Sequence, residues 1–282
     1  MDEPDDNPVG SPALFVTTIP RQVLAHVATG SSACHHGPLM LRFDHLVARN
    51  LGCSRAEARD LFDSGAVHDR SDSPIADGAT GVHPGDLPLS VRVRQQELVL
   101  YDSYHVLLNK PIGCVTALRD SRHAVAYDFL KRAPLHAELR PIGRLDLDTT
   151  GLLLWTTDGT WLQRLTHPKR RVPRTYHAAL ARPFSTLPPG LTLADGHRPD
   201  ITHLAEIDVS TVHPSLIRPD GAPKYATITI SSGAYHEVRR IFAALGSHVV
   251  SLCRVSFGHL VLPDDLPPGD YRRVAIEGVV DR

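Results

Sequence analysis

The sequence predicts an α+β protein, a small N-terminal helical unit followed by a larger domain on a mostly antiparallel sheet. Three observations carry this. Apolar residues recur at helical spacing in only a few stretches. Between them lie many short apolar runs bounded by Gly and Pro, which read as strands. The chain has 282 residues, 42% of them hydrophobic, enough for one large core or two ordinary ones.

Residues 1–40 read as an acidic tail, probing no core of their own, with Asp2, Glu3, Asp5 and Asp6 at the start. Met40 directly precedes the first convincing element and is a candidate natural start. Residues 41–92 form a unit. Leu41, Phe43, Leu46, Val47 and Leu51 fall close to helical spacing, and Gly52 ends the run. Ser54 is placed to cap a second helix that stops at Gly65. Arg55 and Arg59 share one face of it, either a solvated face or a pair of phosphate contacts. Asp77-Gly78 and Pro84-Gly85-Asp86 mark turns. Residues 93–104 read as a linker, and 105–282 as the main domain.

In that domain HVLLNK reads as a strand, with Pro111 and Gly113 as punctuation before another. LLLWTT reads as a buried strand and TWLQRLTHP as a short helix. RTYHAAL and YATITI read as strands, YHEVRRIFAALG as a helix, and SLCRVSFGHLVLP as strand again.

The formal net charge is −1, so whole-chain basicity gives no sign of a nucleic-acid partner. The run Arg164–His177 is locally basic, however, with Arg164, Lys169, Arg170, Arg171 and Arg174 and no acid. The four cysteines, Cys34, Cys53, Cys114 and Cys253, are scattered, against a zinc site or a disulfide scaffold. Cys34, His35 and His36 read as an incidental cluster. No signal peptide is recognisable, and a reducing cytoplasm is the default. Neither a Walker A loop nor HExxH nor a dinucleotide fingerprint occurs, so ATP, zinc and NAD are not implied. What remains is side-chain chemistry.

The segment Pro141–Gly159, PIGRLDLDTTGLLLWTTDG, sets Asp146 and Asp148 on a polar stretch before an apolar run. A carboxylate there can serve as nucleophile or base. Strict alternation would put both acids on one face, and spacing does not choose between them. Either is otherwise a turn or capping acid. In the helix near the C-terminus, Val238, Ile241, Phe242 and Leu245 make the buried stripe. Arg239 lies at its edge, able to reach a partly buried carboxylate. Arg240 lies on the far side, toward solvent or phosphate. Tyr176 in the basic run is either a core strand residue or a surface for a base.

Two resemblances connect these pieces. Ser54, Arg55, Ala58, Leu61, Gly65 and Val67 resemble the alpha-L RNA-binding motif, with HDRS at His68–Ser71 where that family often has an Asn-Gly hairpin. LLNKPIG, GRLDLDTTGLLLWTTDG, RTYHAAL, GAYHEVRRIFAALGSHVVSLCRVSFG and LPPGDYR occur in the order found in bacterial ribosomal RNA pseudouridine synthases. The resemblance implies that Asp146 is catalytic and Asp148 is not. It implies that Arg144 helps hold an extruded nucleotide, that Tyr176 packs on the uracil and that Arg239 pairs with Asp146. Leu252 and Arg254 would line the pocket. Arg240, Arg55, Arg59, Lys169, Arg170, Arg171 and Arg174 are expected to contact RNA.

Arg174 stands where the family commonly has Lys, and Glu237 where it commonly has Gln, which should repel phosphate slightly. The Tyr-His pair and the LPPGDYR ending lean toward the small-subunit (16S) branch, with large-subunit rRNA as alternative. The implied reaction needs no cofactor and no metal, and the implied partner is ribosomal RNA, within an assembling small subunit, bound by a monomer. A catalytically idle assembly factor and an N-glycosidase are the rival readings.

Overall fold

The computed structural model describes residues 40–221, 224–277 and 279. The acidic tail, the Cys34-His35-His36 cluster and the question of Met40 as a start therefore fall outside the described residues, or at their edge.

The N-terminal part contains β1 (Leu41–Arg42), α1 (Phe43–Leu51), α2 (Arg55–Asp63), β2 (Val67–His68), β3 (Gly81–Val82), β4 (Leu89–Val93) and β5 (Gln96–Leu100). Gly52 ends α1 with φ 70°, a left-handed cap that suits glycine. Ser54 caps α2 through a capping box with Glu57. Phe43, Leu46, Val47, Leu61, Phe62 and Val91 pack into one cluster that also takes in Leu100. The expected linker at 93–104 is corrected here: Gln96–Leu100 pairs with β4 along its whole length. Leu98 and Leu100 pack on the same core as the helices, so this stretch belongs with them. Leu41 likewise pairs as strand with Val82 and does not start the helix.

The main part contains β6 (His105–Lys110), β7 (Cys114–Val115), β8 (Ala124–Val125), β9 (Arg140–Ile142), β10 (Thr149–Thr156), α3 (Gly159–Thr166), β11 (Arg174–Leu180), β12 (Ile201–Ile207), β13 (Lys224–Ile230), α4 (Glu237–Ala244), β14 (Val249–Phe257), β15 (Leu260–Val261) and β16 (Tyr271–Arg273). Nine strands make one sheet, with the path β12-β13-β11-β14-β10-β6-β16 and with β15 and β9 paired onto β14 and β10. Its pairings are antiparallel except β10 with β14.

β10 is buried at every residue. Leu153 and Trp155 enter one apolar cluster, and Leu152 and Leu154 another. A strand covered on both faces needs a continuous apolar run, which is what LLLW supplies. Gly151 lets β10 and β14 meet. Its φ is 100°, and a Cβ there would lie 2.4 Å from the Arg254 carbonyl oxygen. Ile201–Ile207 is an edge strand that no sequence signal announced, being mostly half-exposed. Among the described residues no helix is long and apolar enough to cross a membrane.

Candidate active site

The loop between β9 and β10 carries Arg144 to Asp148, and its neighbours fix it by hydrogen bonds to its backbone. Leu145 is buried, and its backbone is clamped by Thr116: the hydroxyl donates to Leu145 O at 2.9 Å and accepts from Leu145 N at 3.0 Å. Gly113 N donates to Leu147 O at 2.9 Å, and Thr149 N donates to Asp146 O at 3.1 Å. Lys110, fully buried at the end of β6, donates from Nζ to Thr149 O at 2.8 Å and Pro111 O at 3.0 Å. Burial pushes the Lys110 ammonium below its ordinary value, while Cys114, Asp146 and Asp148 pull it back up.

Beyond this loop a cavity of about 360 Å³ opens, lined by Asp146, Tyr176, Leu252, Arg254, Arg174 and the turn at 233–239. That volume falls within the usual range of ligand pockets, roughly 300–1,000 Å³. Tyr176 lies on β11 opposite Arg254 of β14 and is buried beside the cavity. Arg254 is 1% exposed. Its Nε donates to Leu152 O at 2.7 Å, its guanidinium lies over Phe257, and one Nη has no partner. Arg174 Nη1 donates to Ser232 O at 3.0 Å, and burial pushes its guanidinium down from the ordinary value. Arg144 lines the cavity and is exposed.

The two acids of the loop have different partners. Asp146 Oδ1 lies 3.5 Å from His236 Nε2. Asp148 pairs with Arg239, Nη2 to Oδ2 at 2.9 Å. The expected Arg239–Asp146 pair is thus corrected. Arg239 also donates to Val249 O at 3.2 Å, which holds the guanidinium over the Asp148 end of the loop. Nor do the acids alternate along a strand, because Asp146 precedes the turn at 147–148 and β10 begins only at Thr149.

The opposite wall is the turn before α4. The helix begins at Glu237, and His236 sits before it with φ 47°. Tyr235 and His236, expected within the helix, are therefore outside it. Their rings stack at 3.8 Å between centroids and 17° between planes. Glu237 is buried, with its carboxylate turned inward. It accepts from Ser232 Oγ at 2.6 Å and Ala234 N at 2.9 Å, and His197 Nε2 lies 2.6 Å away. The expected repulsion of RNA phosphate is corrected for that reason: the charge is held inside by local donors. Arg240, expected to face solvent or phosphate, pairs with Asp195 and donates to Tyr235 O at 3.2 Å.

Sequence reasoning missed His197, Asp195 and His236. For His197 a signal existed: an acid at a position packed into a helix start needs a donor. The basic run spreads out. Lys169 and Arg170 are exposed, Arg171 pairs with Asp200, Arg164 lies over Trp161, and Arg174 turns inward. Arg55 and Arg59 are exposed on α2, and Arg59 lies near enough to Asp44 to help Arg42, its main partner, hold that carboxyl below its ordinary value.

Comparison with known proteins agrees with this architecture. Residues 104–244 match the family model described as RNA pseudouridylate synthase. A ribosomal small subunit pseudouridine synthase A of Yersinia pestis is 35% identical over 245 residues, covering 85% of this chain and 97% of that one. The protein of the same name from Haemophilus influenzae is 32% identical, covering 82% and 95%. A crystal structure of a pseudouridylate synthase superposes with a TM-score of 0.50 at 31% identity, covering 85% of this chain and all of that one. With an open pocket at the GRLD loop and relatives that match along most of its length, this chain belongs to the RNA pseudouridylate synthase family.

Proposed function

We propose that this enzyme converts a uridine of small-subunit (16S) ribosomal RNA to pseudouridine, with Asp146 as the reacting carboxylate. The observation that carries the reading is the placement of Asp146 at the mouth of a cavity walled by Tyr176, Leu252 and Arg254. The relatives named small subunit pseudouridine synthase A support the choice of RNA.

A stacked uridine is out of reach of the loop, so the nucleotide must be extruded, against about a few kcal/mol of unstacking. The N1–C1′ bond breaks, the uracil turns against Tyr176, and a C5–C1′ bond forms. The proton leaves C5 and N1 gains one, so atoms balance with no cofactor. Asp146 serves equally in attack on C1′, addition to C6, or removal of a sugar proton. Arg144 props the extruded state, and Arg254 with Leu252 lines the pocket that receives it. Arg55 and Arg59 of α2, with Lys169, Arg170, Arg171, Arg174 and Arg240, hold flanking phosphates where their side chains reach solvent. The protein acts in the cytoplasm as a monomer on an assembling small subunit.

The test is a strain lacking the gene, mapped for pseudouridine on both large rRNAs by carbodiimide labelling and primer extension. One site missing from small-subunit rRNA is the expected result. A site missing only from large-subunit rRNA moves the target to that RNA. If all sites persist, the ribosomal assignment falls. Mass spectrometry separates the chemistry, because isomerisation keeps the nucleoside mass and an N-glycosidase would release the base.

A further inference from the structure

We infer that Tyr235 is a substrate-binding residue, and that its open ring face stacks on the nucleobase next to the extruded uridine. The inference rests on the isomerase reading above and adds a contact to it. Tyr235 is 77% exposed, the most exposed of the large apolar side chains among the described residues. An aromatic ring in that position is ordinarily unanchored. This one is held from beneath, because one face lies on the His236 ring at 3.8 Å and 17°.

The support under it is also fixed. His236 adopts φ 47°, a backbone conformation that a non-glycine residue keeps only when its surroundings impose it. Those surroundings are on both sides of the pair. Glu237 accepts from Ala234 N, and Arg240 donates to Tyr235 O, so the turn is tied at each end to α4. His236 Nε2 reaches Asp146 Oδ1 at 3.5 Å. The result is a ladder of rings rising from the reacting carboxylate to solvent, with its top rung free.

RNA supplies the matching partner. Once a uridine is extruded, its neighbour in the strand loses a stacking partner and presents a bare face. Stacking on an aromatic side chain replaces that loss and tolerates any base, with some preference for the larger face of a purine. The Tyr235 hydroxyl has no part in this, so the ring is what matters.

The experiment uses small-subunit particles from the deletion strain as substrate, with wild-type, Tyr235→Phe and Tyr235→Ala proteins. The rRNA is also rebuilt by splinted ligation with an abasic nucleotide on either side of the mapped uridine. Tyr235→Phe should act within about twofold of wild type. Tyr235→Ala should lower kcat/KM roughly 5- to 150-fold, the range of one base–aromatic stack. The abasic neighbour on one side should impair wild type by a similar factor and leave Tyr235→Ala unchanged further, since both delete the same contact. Equal rates for Tyr235→Ala and wild type, a Phe variant as impaired as Ala, or additive losses in the cycle each overturn the inference. A wild-type protein that forms no pseudouridine overturns the isomerase reading itself, a result distinct from any of these.

Discussion

The cavity has a floor and a wall, and the two are held by different forces. The floor is β10, β14 and the loop at 143–148. It is fixed by buried strands and by buried hydrogen bonds to its backbone, among them the double clamp of Thr116 on Leu145 and Lys110 on Thr149 O. The wall is the turn before α4 and the first turn of that helix. It is fixed by the buried Glu237 with its donors and by ion pairs nearer the surface, Arg240 with Asp195 and Arg239 with Asp148. Buried contacts resist salt, and exposed ion pairs do so much less. So the floor should set whether chemistry occurs, and the wall how well RNA is received.

The sharpest way to break this comparison is at the two acids. Asp146→Asn should lower turnover by roughly 100- to 10,000-fold, as for loss of a catalytic acid or base, with RNA binding retained. Asp148→Asn should change kcat/KM by only a few-fold, because its partner is a half-exposed ion pair. Single-turnover kinetics and filter binding read both. Equal effects from the two variants would refute the division of roles.

Next comes packing in the floor. Gly151→Ala puts a methyl against the Arg254 backbone and should destabilise the protein by about 1–3 kcal/mol in urea unfolding. A neutral result would mean that the β10–β14 approach is softer than its geometry implies.

The wall is probed by His197→Ala. Removing that donor leaves the Glu237 carboxylate buried with one partner fewer, which should cost about 1–3 kcal/mol. Glu237→Gln added to His197→Ala should restore most of the loss, since an amide tolerates the vacancy. Additive losses in that cycle would show that the two residues act separately.

Acid gives the smallest effect. Burial holds the imidazoles of His105 and His177 below their ordinary value of 6.5. They lie on β6 and β11, the strands that flank the floor's β10 and β14 in the sheet. The unfolded chain takes up these protons first as pH falls, so their contribution is complete above pH 6.5 and is lost as pH drops through the folded values. The slope is at most about 1.4 kcal/mol per histidine per pH unit. In the wall, Asp195 is held below its ordinary value by the backbone N–H of His197 and by Arg240. Its contribution is lost only as pH falls below the usual carboxylate range. Urea midpoints at pH 7.5 and 5 should therefore fall, and the fall should be blunted in His105→Gln.

Much of this was legible in the sequence. α2 is bounded by Ser54 and Gly65, as capping and glycine signals require. The LLLW run gives the buried strand, and the GRLD loop sits where a polar segment meets it. What was not legible depends on residues far apart in the chain. The helical wheel put Arg239 at the edge of its helix, within reach of a carboxylate, but a wheel gives direction and not distance; the choice of Asp146 came from the resemblance, and the pair forms with Asp148. Gln96–Leu100 looked like a linker because it is short, opens on Gln96 and Glu97, and has a pairing partner that lies across a turn. Ile201–Ile207 escaped because an edge strand with three exposed polar residues has little pattern to read. His197 escaped because Glu237 signals only that a donor is needed, and nothing in the sequence says that the donor lies 40 residues away.

The parallel pairing of β10 with β14 sets Gly151 opposite Arg254, and the Arg254 side chain donates to Leu152 O, 102 residues away in the chain. During synthesis β10, the strand after the GRLD loop, can pair with β6 and β9 long before β14 exists. Until then β10 keeps an open edge, and the acid has no pocket beside it. The enzyme is thus put together from a local hairpin and a late closing strand. A nascent chain halted before residue 249 would carry Asp146 and Tyr176 but have no site, and its exposed apolar strand would be a point at which chaperones or aggregation intervene.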